Sequence, residues 1–358
     1  MSSRHPAHFT LFVGLFVASA CEREHKLVTE VLEPSYRGFQ IESYDEKAVQ
    51  PGTVFFTDGS NQAAPRIVEV DRTGKVVWQW VVPTDLLNAN TVMDTAPMPD
   101  GGALVIVDAI GVVQVTEDGQ VARIYESMLP SHDVDLLDDG SWLVTNGWVQ
   151  KGEPHFMEVA PDDSVVWSWD GLDRYDVAPY NEVYREGWVH ANAAERLDDG
   201  NTLVSLRNFN IVALLDEAGT TQWEIGFSDI EPEAAAAGLY DVAYGSNPHD
   251  PELTIDGTLL VAVHRPSVVL EIDLDSRAVI WSWSPEVDSA GKIRDANRLP
   301  NGNTLITSTR SVLEVDAAGT VVWQLFADES LFGQDAPEEF RPFYKACLIA
   351  PDGTVYGG

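Results

Sequence analysis

The sequence predicts an all-β fold, a six-bladed β-propeller built from four-stranded antiparallel blades. Three observations predict it. A short strand with an aromatic residue near its end recurs six times, a strand and a glycine turn precede most copies, and the two chain ends each supply part of a blade. Repeats of about 40–50 residues with four strands each are typical of propellers. A β-solenoid has shorter coils, and a pair of sandwiches would not repeat one unit in this way. A seventh blade is left open.

The recurring strand is the last of each repeat. Its six versions are KVVWQW (75–80), QVARIY (120–125), SVVWSW (164–169), TTQWEI (220–225), AVIWSW (278–283) and TVVWQL (320–325). Most repeats also contain an Asp-Gly or Asn-Gly turn followed by a strand such as TLLVA or TLITS. Alternating apolar and polar residues between such turns indicate half-buried antiparallel strands. Asp-Gly and Asn-Gly supply the positive φ that tight hairpins require.

The first and last strands are predicted to share a blade. The N-terminal repeat, from GTVFFTDGS onward, lacks a clear first strand, and the C-terminal segment YKACLIAPDGTVYGG offers one. The propeller is therefore expected to span residues 51–358 and to close through this shared blade.

The N-terminus has the pattern of an export signal. An apolar run from Phe9 to Ala20 is too short to span a bilayer, and it ends in the small residues of ASAC. This ending resembles a bacterial lipobox, so residues 1–20 are predicted to be a signal peptide and Cys21 the lipid acceptor. Residues 21–50 would then form an N-terminal extension. The protein is expected to be exported, as a periplasmic or outer-membrane-anchored lipoprotein or, alternatively, as a secreted protein.

Charge and cysteine content exclude several classes of partner. The formal net charge is -35 and the pI is about 4.3, so nucleic acids and anionic membrane surfaces would be repelled. Membrane contact is expected only through the lipid anchor. Two cysteines give no disulfide framework. The candidate histidines come from three repeats without short spacing, so neither a metal nor a cofactor is expected.

One position of the repeat is rich in groups that bind anions or carry protons. Eight residues before each turn glycine stand Met93, His132, Asn192, His249, Arg294 and Lys345. The first strand of each blade lines the central channel, so these side chains are predicted to form a ring. His190 precedes Asn192 by two residues and should leave the same strand face.

Neighbouring positions add to this predicted ring. Arg207 closes the adjacent strand TLVSLR, and His264 and Arg265 stand at the corresponding end of the next repeat. Asp133 and Asp250 directly follow His132 and His249, and strand alternation would direct them to the opposite face, where they could support the ring or contact a neighbouring blade. A cationic ring in so acidic a chain suggests a site for an anionic group.

At these residues the chain resembles the bacterial arylsulfate sulfotransferase family. The likeness extends over most of residues 51–343, in PRIVEVDRTGKVVWQW, HDVDLLDDGSWLV, WVHANAAERLDDGNTLVSLR, HDPELTIDGTLLV and RLPNGNTLITS. Its most specific part is the His-x-N followed by an Arg at the end of the next strand. The resemblance implies a six-bladed propeller that acts outside the cytoplasm. It also implies transfer of a sulfuryl group from a phenolic sulfate ester to a phenol, without a nucleotide sulfate donor.

The resemblance also implies roles for individual residues. His249 would be the nucleophile that takes the sulfuryl group as a sulfohistidine, and His132 would assist proton transfer at the phenol oxygen. The sulfate oxygens would be held by His190, Asn192 and Arg207. Beside these, the predicted substrate-binding residues are Arg294, Lys345 and Arg265.

Two other functions compete with sulfuryl transfer. The first is a non-catalytic, lipid-anchored propeller that binds a partner or ligand. The second is a quinoprotein, because VDRTGKVVW (70–78) resembles the tryptophan-docking repeat of dehydrogenases that use pyrroloquinoline quinone. That motif joins blades in many propellers, so it indicates fold more than cofactor. The eleven tryptophans are most simply explained as packing between blades.

Overall fold

The computed structural model describes residues 39–61, 63–87, 92–227, 245–285, 291–327 and 342–357, which form six antiparallel sheets. Each sheet contains the four strands of one blade, so the predicted six-bladed propeller is confirmed. The predicted signal peptide and Cys21 lie outside the described residues. No helix within these ranges has the length and apolar composition needed to cross a membrane.

The strands follow the chain blade by blade. The described chain begins with β1 (Phe39–Tyr44), and blade 1 takes β2 (Thr53–Asp58), β3 (Arg66–Val70) and β4 (Val76–Val81). Blade 2 contains β5 (Val92–Pro97), β6 (Ala103–Val107), β7 (Gly111–Val115) and β8 (Val121–Glu126). Blade 3 contains β9 (Asp133–Leu136), β10 (Trp142–Thr145), β11 (Phe156–Val159) and β12 (Val165–Trp169).

The second half repeats this plan. A short helix α1 (Leu172–Tyr175) and a 3-10 turn (Tyr180–Glu182) lead into blade 4, which contains β13 (Ala191–Arg196), β14 (Thr202–Leu206), a second 3-10 turn (Arg207–Phe209), β15 (Ile211–Leu215) and β16 (Thr221–Gly226). Blade 5 contains β17 (Ser246–Leu253), β18 (Leu259–Arg265), β19 (Val268–Ile272) and β20 (Val279–Trp283). Blade 6 contains β21 (Ile293–Arg298), β22 (Thr304–Ser308), β23 (Ser311–Val315) and β24 (Val321–Ala327), and the chain then forms β25 (Ala346–Ile349) and β26 (Val355–Tyr356).

The two ends of the chain close the ring as predicted. Strand β25 pairs with β2 and serves as the innermost strand of blade 1, with Leu348 opposite Val54. Strand β1 was not predicted. It lies within the proposed N-terminal extension and pairs with β24 as a fifth, outermost strand of blade 6. It covers the outer edge of that blade, which would otherwise present unpaired backbone groups.

Local turn chemistry explains why each outer hairpin forms where it does. In blade 6 the Asp316 carboxylate accepts hydrogen bonds from the backbone N–H groups of Ala318 (2.9 Å) and Thr320 (2.8 Å). Gly319 follows with φ of 87°, a conformation that glycine adopts without steric cost. The turn in blade 4 repeats this arrangement with Asp216 and Gly219.

Apolar clusters fill the spaces between neighbouring blades, and tryptophans of the outer strands join one blade to the next. The Trp78 indole N–H donates to the Glu117 carbonyl at 2.8 Å, linking blade 1 to blade 2. The Trp323 indole donates to the Arg72 carbonyl at 2.8 Å and so links blade 6 back to blade 1. Each of these tryptophans therefore contributes apolar area and also satisfies a turn carbonyl.

Candidate active site

The inner strands of blades 3, 4 and 5 are irregular where they carry the candidate residues. His132 and His190 stand just before β9 and β13 with φ of 74° and 49°. In β17 the pairing register shifts between His249 and Pro251, and Asp250 has φ of 37°. Such bulges break the alternation of side chains and re-aim individual residues. Strained backbone of this kind concentrates at functional sites.

The candidate residues form one continuous group of contacts. The rings of His190 and His132 lie 5.0 Å apart, and the His132 ring lies 6.0 Å from that of Tyr344. The Arg294 guanidinium is 6.0 Å from the Tyr344 ring centroid and donates from Nη1 to Nε2 of His249 at 2.9 Å. All five side chains are buried. The fold thus brings together residues of five blades that are far apart in sequence.

The hydrogen bonds of His249 determine its tautomer. Nδ1 lies 3.0 Å from the Asn247 carbonyl oxygen, which only accepts, so Nδ1 carries the proton. Arg294 only donates, so Nε2 presents a lone pair. Burial lowers the pKa of His249 well below its usual value, and the nearby Arg294 lowers it further. His249 is therefore a neutral imidazole with its basic nitrogen in the site, which is the form a nucleophile needs.

His190 and Arg207 lie together on blade 4. Nδ1 of His190 donates to the Glu186 carbonyl at 2.8 Å, which leaves Nε2 unprotonated. Burial, with a contribution from Arg207, lowers the pKa of His190 to about 3. Nη1 of Arg207 lies 3.7 Å from the exposed carboxylate of Glu186. Both cation and imidazole are thus positioned by the segment that precedes β13.

Three buried polar atoms at the site have no hydrogen-bond partner among the described residues. They are Oδ1 of Asn192, Nε of Arg207 and the hydroxyl of Tyr344. Leaving a buried polar group unsatisfied costs about 1–3 kcal/mol. Such a concentration around the histidines favours a site built to bind a polar ligand. Asn192 also spans two blades, because its Nδ2 donates to the Pro248 carbonyl at 3.2 Å.

His132 is held by a close approach of backbone that only glycine permits. Its Nδ1 lies 2.9 Å from Oγ of Ser131, and that oxygen accepts a hydrogen bond from the Gly147 N–H at 2.9 Å. A Cβ on Gly147 would stand 2.3 Å from Nδ1 of His132. The half-exposed ring of Trp148 contacts His132 edge to face at 4.9 Å. Burial and the neighbouring His190 lower the pKa of His132 well below its usual value.

Lys345, which follows Tyr344 in the sequence, connects three blades. Its ammonium, from blade 1, forms ion pairs with Asp133 of blade 3 and with Asp250 of blade 5, the latter at 2.5 Å. Residues of alternate blades can meet only in the channel, so the expectation that these two aspartates face away from it is wrong. The positive φ values at His132 and Asp250 turn consecutive side chains toward the axis. Contact of Lys345 with substrate stays a prediction, since its charge is already matched by carboxylates.

These aspartates belong to a repeated layer. Asp94, Asp133, Asp250 and Asp295 each stand seven residues before a turn glycine, one position after the predicted ring. Asp133 accepts from the Ala194 N–H of blade 4 at 2.7 Å, and Asp94 accepts from the Val134 N–H of blade 3 at 3.1 Å. They thus join neighbouring inner strands, as an inter-blade role requires. Burial raises the pKa of Asp94 and of Asp133, while Lys345 opposes that rise.

The remaining sequence-predicted residue lies at the rim. Arg265 is exposed at the end of β18, where it lines a polar cavity of about 200 Å³ with Arg185, Asn208 and Asn247. Its neighbour His264 is buried, and the ring centroids of His264 and His249 lie 5.4 Å apart. No group of three or more His, Cys, Asp or Glu side chains in the described part of the chain is arranged to hold a metal ion.

Some residues of the site escaped sequence reasoning. Tyr344 directly precedes Lys345, and Trp148 lies in a loop outside the repeat pattern, so neither carries a periodic signal. Gly147 has an ordinary backbone conformation, and the close approach of His132 and of the Ala191 carbonyl explains it. The aspartate layer did have a signal, because counting seven residues back from the turn glycines instead of eight finds it in four repeats.

Comparisons with known proteins bear on the family and on the fold. A family model described as arylsulfotransferase matches residues 44–234. A protein of unknown function from Bacteroides caccae is similar in structure, with 17% identity and a TM-score of 0.55 over 83% of this chain and 98% of the other. Virginiamycin B lyase from Staphylococcus aureus, in a catalytically inactive form with quinupristin, has 10% identity and a TM-score of 0.49 over 89% of this chain and 97% of its own. None of the curated proteins matches the chain significantly. At 17% identity, the Bacteroides caccae structure bears on the fold alone.

Proposed function

The chain belongs to the arylsulfotransferase family, and from this premise we propose that it transfers a sulfuryl group from an aryl sulfate ester to a phenol through His249. One observation carries the proposal. The buried imidazole of His249 is held as the Nδ1–H tautomer, and its Nε2 lone pair is directed at a cation, 2.9 Å from Arg294. A neutral nucleophile beside a buried guanidinium suits attack on an anionic sulfate ester.

In the first half of the reaction, the aryl sulfate binds with its sulfate oxygens toward Arg294, Arg207 and Asn192. Arg294 moves its hydrogen bond from Nε2 of His249 to a sulfate oxygen, which frees the lone pair. Nε2 attacks sulfur, the bond between sulfur and the phenol oxygen breaks, and the electron pair of that bond leaves with the phenolate. The buried guanidinium groups stabilise the charge on the equatorial oxygens, as in phosphoryl transfer.

His132 is proposed to assist proton transfer at the phenol oxygen. Ser131 accepts from Gly147, so its own hydroxyl proton is available to Nδ1 of neutral His132, whose Nε2–H then points into the site. This N–H donates a hydrogen bond to the departing phenolate, which takes its proton from solvent on release. In the second half, His132 in its other tautomer, with Nδ1–H donating to Ser131, accepts the proton of the incoming phenol on Nε2. The phenol oxygen attacks sulfur while the N–S bond breaks, His249 is regenerated, and His132 returns the proton to solvent. General acid–base assistance of this kind contributes about 10²–10⁴-fold.

We also propose that this chemistry takes place outside the cytoplasm. The apolar run from Phe9 to Ala20 supports export, and the ASAC sequence supports lipid attachment at Cys21. A Cys21→Ser variant is expected to move from the membrane fraction to the soluble fraction in cells. Wild-type protein found in the soluble fraction would point to ordinary secretion, and a variant that stays in the membrane fraction would contradict lipid attachment at Cys21.

The first test measures nitrophenol release from 4-nitrophenyl sulfate, with and without added phenol. Phenol-dependent release is expected, with at least about a 10³-fold loss in His249→Ala and about a 10²-fold loss in Arg207→Ala. Mass spectrometry of the protein quenched without phenol should find a sulfuryl adduct on the peptide that contains His249.

A matched control is offered by His155, which is buried in blade 3 between Trp169 and Trp188 and lies outside the group of contacts around His249. His155→Phe should retain full turnover. Release that does not depend on phenol would indicate a hydrolase instead. No release with a panel of aryl sulfates would favour the non-catalytic binding propeller.

A further inference from the structure

A polar cavity opens beside the proposed sulfuryl-transfer site. It has a volume of about 200 Å³, and its lining includes Arg185, Arg265, Asn208 and Asn247. Asn208 directly follows Arg207, and the carbonyl of Asn247 accepts the Nδ1–H bond of His249. The cavity therefore lies next to the proposed site: Asn247 in its wall orients the proposed nucleophile His249, and Asn208 in its wall is the chain neighbour of Arg207.

The walls of this cavity are built by specific hydrogen bonds. Nδ2 of Asn208 donates to the Arg185 carbonyl at 2.6 Å and so holds the segment that carries Arg185. Oδ1 of Asn210 accepts from the Asn247 N–H at 2.8 Å. Asn210 and Asn247 both have positive φ, of 56° and 60°. Asparagine tolerates this conformation better than most residues do, so the shape of the cavity depends on these amides.

The charge of the cavity contrasts with that of the chain. The sequence has 57 acidic residues and 22 lysines and arginines, yet neither Arg185 nor Arg265 forms an ion pair with any carboxylate in the described ranges. Glu186, the nearest acid in sequence, contacts Arg207 instead, at 3.7 Å. Burial lowers the pKa of Arg207 and Glu186 opposes this, while the charges of Arg185 and Arg265 lower the pKa further, which means that each of these two guanidiniums repels that of Arg207. An anion placed between them would relieve that repulsion.

We propose that this cavity binds a second anionic group, a carboxylate or sulfate, on the aromatic ring of the substrate. This inference rests on the proposed function and deepens it. The sulfate ester would lie at His249, the ring would extend past Asn247, and the second anion would be held by Arg185 and Arg265. Because donor and acceptor use the same sulfuryl site in turn, the preference applies to both. The substrate class is then phenols that carry an acidic substituent, such as hydroxybenzoates and their sulfate esters.

The test compares two donors that differ only in charge, 4-sulfooxybenzoate and its methyl ester. The ratio of their kcat/KM values is measured for the wild type, for Arg185→Gln, for Arg265→Gln and for the double variant. Comparing this ratio between variants cancels the difference in leaving group. The double variant is expected to lower the ratio of kcat/KM for the acid to kcat/KM for the ester about 10-fold or more, the loss expected for charge-assisted hydrogen bonds.

Arg310→Gln is the matched control, because Arg310 is also exposed and follows β22 as Arg265 ends β18, but it does not line the cavity. It should leave the ratio unchanged. If both donors turn over and the double variant changes them equally, the anion subsite is wrong while the proposed function stands. If neither donor turns over in any form of the protein, the proposed function fails. Titration calorimetry with 4-sulfooxybenzoate then decides the subsite: binding that is lost in the double variant supports it, and equal or absent binding overturns it.

Discussion

Replacing Lys345 by methionine should strongly destabilise the propeller at neutral pH. The Lys345 ammonium lies between the carboxylates of Asp133 and Asp250, at the point where blades 1, 3 and 5 meet. The pKa of Lys345 is raised well above its usual value, since four nearby aspartates outweigh the effect of burial. Methionine keeps most of the side-chain volume and removes the charge, so the variant isolates the electrostatic contribution.

The expected magnitude follows from the geometry. Removing one partner of a buried ion pair costs about 3–5 kcal/mol, because the other charge stays buried without compensation. We therefore expect the free energy of unfolding to fall by about 4 kcal/mol at pH 7, measured by urea denaturation. At about 2 °C per kcal/mol for a chain of this size, Tm should fall by about 8 °C. Lys75→Met, on an exposed turn of blade 1, should change stability by less than about 0.5 kcal/mol.

The loss of stability in Lys345→Met should also depend on pH. Burial raises the pKa of Asp133, and loss of the ammonium would raise it further. A carboxyl whose pKa is higher in the folded state than in the unfolded state destabilises the fold above the folded pKa, and this penalty decreases as pH falls through that pKa. The variant should therefore be closer to the wild type at pH 5 than at pH 7, and adding Asp133→Asn should restore part of the loss. A loss below about 1 kcal/mol, or one equal at both pH values, would refute the reasoning.

Three further predictions concern the histidines. His155→Phe should raise the free energy of unfolding by about 1–2 kcal/mol, measured by urea denaturation, since neither ring nitrogen of buried His155 has a partner in the described part of the chain. Burial lowers the pKa of His155 from 6.5 to about 3, so the wild type should lose stability as pH falls through this range and the variant should lose less; parallel curves would contradict this. Gly147→Ala should reduce kcat/KM for 4-nitrophenyl sulfate by at least about 10-fold, because the new Cβ would displace the His132 ring. Gly302→Ala places a Cβ at a φ of 85°, which costs stability, but no atom lies within 4 Å of that Cβ, so the folded variant should keep activity. Because the pKa of His249 is depressed, kcat/KM should stay constant as pH falls through 6.5, and an acid limb centred at or above that pH would count against His249 as the nucleophile.

Part of the candidate site could be predicted from the sequence, because several of its residues occupy the same position in successive repeats. A constant count from the turn glycines placed His132, His249 and Arg294 at equivalent positions, and the fold brings all three together. The same count shortened by one residue, from eight to seven, would have found the aspartate layer. Tyr344 and Trp148 follow no repeat, and their contacts with His132 arise from loops whose path is set by tertiary packing.

The sequence by itself determined the strands and hairpins of the repeats and hence the propeller class, because side-chain alternation and the glycine turns act between residues only a few positions apart. It left a seventh blade open and did not predict β1, which the structure decided. It also determined the closure of the ring, since a repeat that lacks its first strand can be completed only by another part of the chain. The tertiary structure decided which way the inner-strand residues face. Bulges at β13 and β17 override alternation, and the Lys345–Asp133 ion pair joins residues 212 positions apart. Such contacts depend on the channel formed when all blades assemble, and no local pattern encodes them.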